Sequence, residues 1–203
     1  MPESIEDASL RSPSSRSSLG VFRNRAFAVI VVASGIANLG AAMFDTASSW
    51  LMTSLNSDPV MVSAVQVATM LPMFLLTLPS GTLADIVDSR RLLIASEIFV
   101  TLVALAFASA VSLKLVGAPL LLIATFLLCV GGAIAAPAWL LTTPMLVPKD
   151  DLDSAVAINN TSANVSRAIG PAIGGIAIAA ADVEAPFWFY LLANIGVVGA
   201  LLW

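Results

Sequence analysis

From residue 26 to residue 203 the chain is a succession of six apolar runs, each about 20 residues or longer and broken only by short polar stretches. The runs cover 26–55, 60–80, 92–111, 119–141, 154–181 and 186–203. At about 1.5 Å of rise per residue, a helix of this length crosses a hydrocarbon layer of about 30 Å. Inside such a layer no water satisfies backbone N–H and C=O groups, so only helices and closed barrels can span it. The runs are rich in Ala, Leu and Gly and lack the two-residue alternation of a membrane barrel strand, so the sequence predicts helices. Composition agrees: 59% of the residues are hydrophobic and 11% charged, against about 25% charged in a soluble domain. The expected fold is an all-α integral membrane protein, a six-helix transmembrane bundle over residues 22–203 with the lipid bilayer as its solvent.

Residues 1–21 are a different material. The first 20 hold seven serines with Glu3, Glu6, Asp7, Arg11 and Arg16 and no apolar run, so a disordered tail is expected. No cleavable signal is expected, because the first apolar run is far too long for one. Asn159, Asn160 and Asn164 each open a glycosylation sequon by chance, since the expected topology puts them toward the cytoplasm. The single Cys129 lies in an apolar run and offers no disulfide within the chain. There is no His, which removes Ser-His and Cys-His catalysis and His-ligated metals. The sequence therefore points away from an enzyme, with no metal, cofactor or nucleic-acid partner expected.

Basic residues set the expected orientation. Arg11, Arg16, Arg23 and Arg25 precede the first run, Arg90 and Arg91 separate the second from the third, and Lys149 separates the fourth from the fifth. All seven fall on one side if the runs alternate, whereas Lys114 alone is basic on the other. This bias places the N-terminus in the cytoplasm of a multi-pass protein.

Polar residues inside spans cost free energy unless they face a bundle interior or water, so they carry the functional signal. Ser34, Asn38, Asp45 and Ser49 share one face of the first span, and Gln66, Thr69, Met73 and Thr77 form a similar stripe on the second. Asn160, Asn164, Arg167, Pro171 and Gly174 share a face of the fifth. Three such stripes would suit a shared aqueous cavity, although small and polar residues also serve simply to pack helices. The candidate cavity residues are Asn38, Asp45, Gln66, Asn160, Asn164 and Arg167. By helical rise, Arg167 lies roughly 20 Å into its span, Asp45 roughly 28 Å and Glu97 roughly 9 Å. These depths argue against pairing Arg167 with either acid. For Asp45 and Glu97 a solvated interfacial role and a functional one both stay open.

Two motifs are more specific. The stretch 81–91, Gly-Thr-Leu-Ala-Asp-Ile-Val-Asp-Ser-Arg-Arg, joins the second and third runs. Gly81 would permit close helix approach, Asp85 could pair across a gate, and Arg90 and Arg91 would anchor at an anionic leaflet. This stretch resembles the signature loop of the major facilitator superfamily, with Ile86 in place of the usual Arg, Asp88 in place of the turn Gly and Ser89 at the first basic position. In the fifth run, 166–175 is similar to that superfamily's exporter motif Gly-x-x-x-Gly-Pro-x-x-Gly-Gly, with Ser166 at the first Gly and Gly170, Pro171, Gly174 and Gly175 in register. Together with Ser49-Trp50-Leu51-Met52-Thr53 and Leu78-Pro79-Ser80-Gly81, these phrases most resemble the branch holding enterobactin exporters and transmembrane secretion effectors. The resemblance covers 22–203, the N-terminal half of that fold.

The resemblance implies efflux of a small molecule, such as a siderophore or drug, by proton antiport across the bacterial inner membrane. The chain stops within an apolar run, so a second bundle is expected beyond residue 203. The alternatives are a half-size transporter that pairs with a second copy, and a non-transporting membrane scaffold.

Overall fold

The computed structural model describes residues 25–56 and 58–203. The expected tail over 1–21 lies outside the described residues. Six long helices follow one another: α1 (Arg25–Leu55), α2 (Pro59–Ile86), α3 (Ser89–Ser112), α4 (Ala118–Leu146), α5 (Leu152–Ala181) and α6 (Ala185–Leu202), with one 3₁₀ turn at Lys149–Asp151 before α5. No strand occurs among the described residues. The starts of α1, α3 and α5 and the ends of α2, α4 and α6 share one end of the bundle, called here the near side.

Local chemistry sets the boundaries. The Asp58 carboxylate accepts the Val60 amide at 2.9 Å, with Pro59 at the first helical position, where its missing N–H costs nothing. Asp88 caps α3 in the same manner, accepting the Arg91 amide at 3.0 Å. Helices α2 and α4 outrun the apolar segments that announce them, reaching Ile86 and Leu146 instead of residues 80 and 141. Hydropathy marks where lipid ends and not where backbone hydrogen bonding ends. Pro72 and Pro79 in α2, Pro137 and Pro144 in α4, and Pro171 in α5 all lie inside helices, as a membrane bundle tolerates when neighbours re-satisfy the freed groups.

Five helices are long and apolar enough to cross a membrane; α5 does not meet that measure on composition. Its first half carries Asn159, Asn160, Thr161, Ser162, Asn164, Ser166 and Arg167. Packing nevertheless seats α5 lengthwise along α1. The Ser166 hydroxyl donates to the Gly35 carbonyl at 3.2 Å, Gly170 lies against Ala42, and Gly174 lies against Met43. The order of these contacts makes the two helices parallel neighbours through the middle of the bundle. The exporter-like Gly170 and Gly174 are thus a packing seam, as their residue types suggest.

Helix α1 packs mainly on α5 and α6, α4 mainly on α2 and α3, and α3 packs on α6. Exchanging α1, α2 and α3 for α4, α5 and α6 leaves this pattern unchanged, the mark of an internal three-helix repeat. On the side away from the near end, the main core gathers Phe44, Phe107 and Phe187 with Leu51, Met52, Leu121 and Leu128. Phe187 meets Phe107 edge-on at 5.1 Å and Phe44 at 5.2 Å. In lipid such packing stabilises through dispersion and shape, because there is no water to exclude. The Ser112 hydroxyl, at the end of α3, donates to Glu184 Oε2 at 2.6 Å and accepts the Trp188 indole N–H at 3.0 Å, tying α3 to the start of α6. At the near side the Arg90 guanidinium donates to the Leu201 carbonyl at 3.0 Å, tying the same two helices at their other ends.

Candidate functional site

The aromatic core fills the far half of the bundle, and the near half holds a cavity of about 620 Å³. Its polar lining comes from Ser34 and Asn38 on α1, Glu97 on α3, Trp139 and Thr142 on α4, Asn159, Asn160 and Arg167 on α5, and Tyr190 and Asn194 on α6. Apolar side chains such as Phe27, Ile30 and Val197 complete the wall.

These polar groups sit at two levels. Glu97 is eight residues after Ser89, Asn160 eight after Leu152, and Asn194 eight before Leu202. All three therefore lie roughly 12 Å from the near side. Trp139, seven residues before Leu146, is level with them. Asn38, 13 residues after Arg25, and Arg167, 15 after Leu152, lie roughly 20–22 Å in.

Glu97 is the unusual member. It is only 9% exposed, and its Oε1 accepts the Trp139 indole N–H at 3.0 Å. An indole is a neutral donor, so an ionised Glu97 has no compensating charge in this contact. A buried carboxylate in that setting is costly. The interfacial, solvated reading of Glu97 is thereby overturned: helix α3 turns the side chain inward, where Trp139 covers it. The Asn194 side chain, also buried, donates to the Tyr190 carbonyl at 2.8 Å. Arg167 is exposed on the α5 wall and takes no ion-pair partner among the described residues, in line with the depth argument from sequence.

Of the six cavity candidates, the structure brings together Asn38, Asn160 and Arg167. Asp45, Gln66 and Asn164 are exposed and do not line this cavity. Asp45 shares a helical face with Asn38, but seven more residues carry it roughly 10 Å further from the near side. The α2 stripe contributes no residue to the cavity. Its Thr69 hydroxyl donates to the Val65 carbonyl at 3.0 Å, and Thr77 donates to the Met73 carbonyl. Those hydroxyls satisfy themselves one turn back on their own helix. Glu97, Trp139 and Asn194 are not among the cavity residues expected from sequence, although each is an isolated polar group within an apolar run, a signal that could have pointed to them.

The 81–91 stretch is less of a loop than expected. Helix α2 continues to Ile86, leaving only Val87 and Asp88 between helices. Gly81 does not mediate close approach: among the described residues, no atom outside its chain neighbours and its own helix backbone lies within 4 Å of where its Cβ would be, and the same is true of Gly175. Asp88 serves as the α3 cap. Arg90 reaches the α6 terminus, while Arg91 is exposed. The Asp85 side chain lies outside the described residues. No cluster of three or more His, Cys, Asp or Glu that could hold a metal occurs among the described residues.

The family described as transmembrane secretion effector matches residues 16–203. The chain belongs to that family, within the major facilitator superfamily, whose members are transporters and not enzymes. It is similar to a protein of Pectobacterium atrosepticum named as a candidate multidrug resistance protein, MdtD, with 28% identity over 164 residues, covering 80% of this chain and 34% of that one. Proteins of the same name from Yersinia enterocolitica (30% over 168 residues, 81% and 34% covered) and Klebsiella pneumoniae (29% over 165 residues, 81% and 33% covered) match similarly. The chain spans about a third of the length of these relatives. No solved structure matches it. The protein is accordingly a multi-pass membrane protein in contact with the lipid bilayer.

Proposed function

We propose that the bundle forms one wall of the path by which a secondary transporter of the bacterial inner membrane exports a small molecule in exchange for protons. The observation that carries this reading is Glu97, a buried acid that lies on the wall of a 620 Å³ cavity and accepts a hydrogen bond from the Trp139 indole. A carboxyl so placed can take up and release a proton as water enters or leaves the cavity. The mostly apolar wall, with Asn38, Asn160 and Asn194 as hydrogen-bonding groups and Arg167 deeper in, suits an amphipathic solute. A siderophore or a drug fits that description, and the names of the relatives favour the drug. The basic residues at the near side support its being the cytoplasmic side, and in this reading the cavity is loaded from the cytoplasm.

The α5 surface supports a partner. Asn160, Asn164, Arg167 and Pro171 are all exposed on α5, and polar groups turned toward acyl chains are costly. A second six-helix bundle covers them in this reading, supplied either by the remainder of a longer chain or by a second copy. Cysteine crosslinking from Asn164→Cys in membranes separates these: a homodimer band supports the second copy, and its absence leaves the longer chain.

The test uses everted vesicles in which a pH-sensitive dye reports proton release on adding candidate solutes, with the chain alone and with a second bundle supplied in trans. Solute-dependent proton release is expected for the wild type, lost in Glu97→Gln and partly kept in Glu97→Asp. Solute flux that survives Glu97→Gln or collapse of the pH gradient would remove the proton role. No flux from either preparation would favour the scaffold reading.

A further inference from the structure

A second cavity, of about 510 Å³, opens at the near side between the starts of α1 and α3 and the ends of α4 and α6. Its walls are apolar, with Ile30, Leu93, Met145, Leu146 and Leu201, and at its mouth stand Ser89 and Arg90. Among the described residues no Asp or Glu lines it. We infer that this cavity binds an anionic phospholipid, the phosphate held at the mouth by Arg90 and the start of α3, the beginning of an acyl chain held inside.

Three observations converge. The first is the fixed position of Arg90. One guanidinium N–H is spent on the Leu201 carbonyl at 3.0 Å, which pins the group at the cavity and leaves four further donors in a planar fork that matches phosphate oxygens. The second is the end of α3. The Arg91 amide is taken by Asp88, whereas the amides of Ser89 and Arg90 have no acceptor within the helix. They point out of its positive end beside the same mouth. The third is shape. A cavity of this size lies in the range of ligand pockets, and its apolar walls ask for hydrocarbon and not for a hydrated ion. A free phosphate would match the mouth but leave the walls empty, so the combination selects a lipid. Asp88, next to the mouth in sequence, is engaged as the α3 cap and does not cancel the positive pole.

The site goes beyond the transport reading but touches it. Ile30, Thr142 and Leu146 line both cavities. A lipid chain in the smaller cavity would bear on the wall of the larger one, so the anionic content of the leaflet would bias the shape of the solute cavity.

Native mass spectrometry of the delipidated full chain tests this, using phosphatidylglycerol, phosphatidylethanolamine with the same acyl chains, and inorganic phosphate as probes. Phosphatidylglycerol is expected to bind about fivefold more tightly than phosphatidylethanolamine, the weight of one basic charge at an anionic headgroup. Arg90→Gln should abolish that preference, and Arg91→Gln, which removes the same charge one residue along, should keep it. Ala200→Leu, which fills the cavity, should weaken both lipids. Inorganic phosphate at millimolar concentration should displace neither. Arg90→Lys guards against a folding defect in Arg90→Gln: it keeps the charge and should keep most of the preference. Equal binding of the two lipids by the wild type, equal effects of Arg90→Gln and Arg91→Gln, or displacement of lipid by phosphate alone would each overturn the site.

Discussion

Gly174 and Gly175 are adjacent on α5 and belong to the same sequence motif, yet they face different surroundings. A Cβ on Gly174 would lie 3.2 Å from Met43 Cα, 3.4 Å from its carbonyl oxygen and 3.5 Å from its Cβ; a Cβ on Gly175 would meet nothing within 4 Å. Replacing either glycine by alanine brings the same intrinsic gain in helix propensity, about 0.8–1 kcal/mol. It also brings the same change in the unfolded chain. Comparing Gly174→Ala with Gly175→Ala therefore cancels both effects and leaves the contact with α1. The contacting atoms are largely backbone, which cannot swing aside, so α1 and α5 must part by a few tenths of an ångström. Overpacking of that kind costs about 1–3 kcal/mol. Gly175→Ala should match or exceed the wild type, and Gly174→Ala should fall about 1–3 kcal/mol below Gly175→Ala. Gly174→Leu should fail to hold the two helices together.

The four tryptophans give the signal: fluorescence followed through denaturation in mixed micelles, each variant under the same detergent. Should Gly175→Ala prove as damaging as Gly174→Ala, the seam between α1 and α5 is not where this reasoning puts it. Equal tolerance of leucine at both positions would have the same consequence.

Three further outcomes follow from the same geometry. Arg167→Ala should abolish solute efflux while leaving membrane insertion and thermal stability near wild type, because the side chain is exposed on the cavity wall and takes no ion-pair partner among the described residues; unchanged efflux takes Arg167 out of the path. In a double-mutant cycle, Trp139→Phe and Glu97→Ala should couple by about 1 kcal/mol, the weight of the indole-to-carboxyl hydrogen bond; strictly additive effects mean that the bond is not formed in the membrane. Ser112→Ala should lower stability by about 1–2 kcal/mol, since it unpairs both Glu184 and Trp188, and should shift the Trp188 emission; an unaltered spectrum and melting curve contradict the network.

Five of the six described helices were legible because lipid imposes one simple demand, about 20 apolar residues per crossing, and they meet it, with clear punctuation such as Asn56 to Pro59 and Asp182 to Glu184. Helix α5 was legible as a helix despite Asn160, Asn164 and Arg167, because its second half is apolar. The site was legible only in part. A helical face is a direction, and a cavity also has a depth: Asn38 and Asp45 share the direction, yet only Asn38 lies at the level where the bundle is open. The opposite error befell Glu97. Its distance from the near side gave its depth but not whether α3 turns it toward lipid headgroups or toward Trp139, and that turn depends on the packing of α3 against α4. Gly81 shows the same limit at the level of motif: its residue type permits close approach, but among the described residues no other helix comes within 4 Å of its Cβ position.

The internal exchange of α1–α3 for α4–α6 also bears on Glu97. In the repeat, α3 corresponds to α6, and these helices pack together in opposite directions. Glu97 lies eight residues from the near end of α3 and Asn194 eight from the near end of α6, so they lie at one level, although in chain order the repeat pairs Glu97 with Ala193, next to Asn194. Both are buried and both line the cavity. A carboxyl at each place would set two acids into the same closed space, where like charges oppose each other strongly and one proton would be shared between them. The chain has instead an acid on α3 and an amide on α6, the amide held by the Tyr190 carbonyl. The scaffold is symmetric in its packing and asymmetric in its chemistry. Among the described residues that asymmetry leaves Glu97 as the carboxyl at this level, so under the proton-exchange reading the proton moved there would be carried by Glu97.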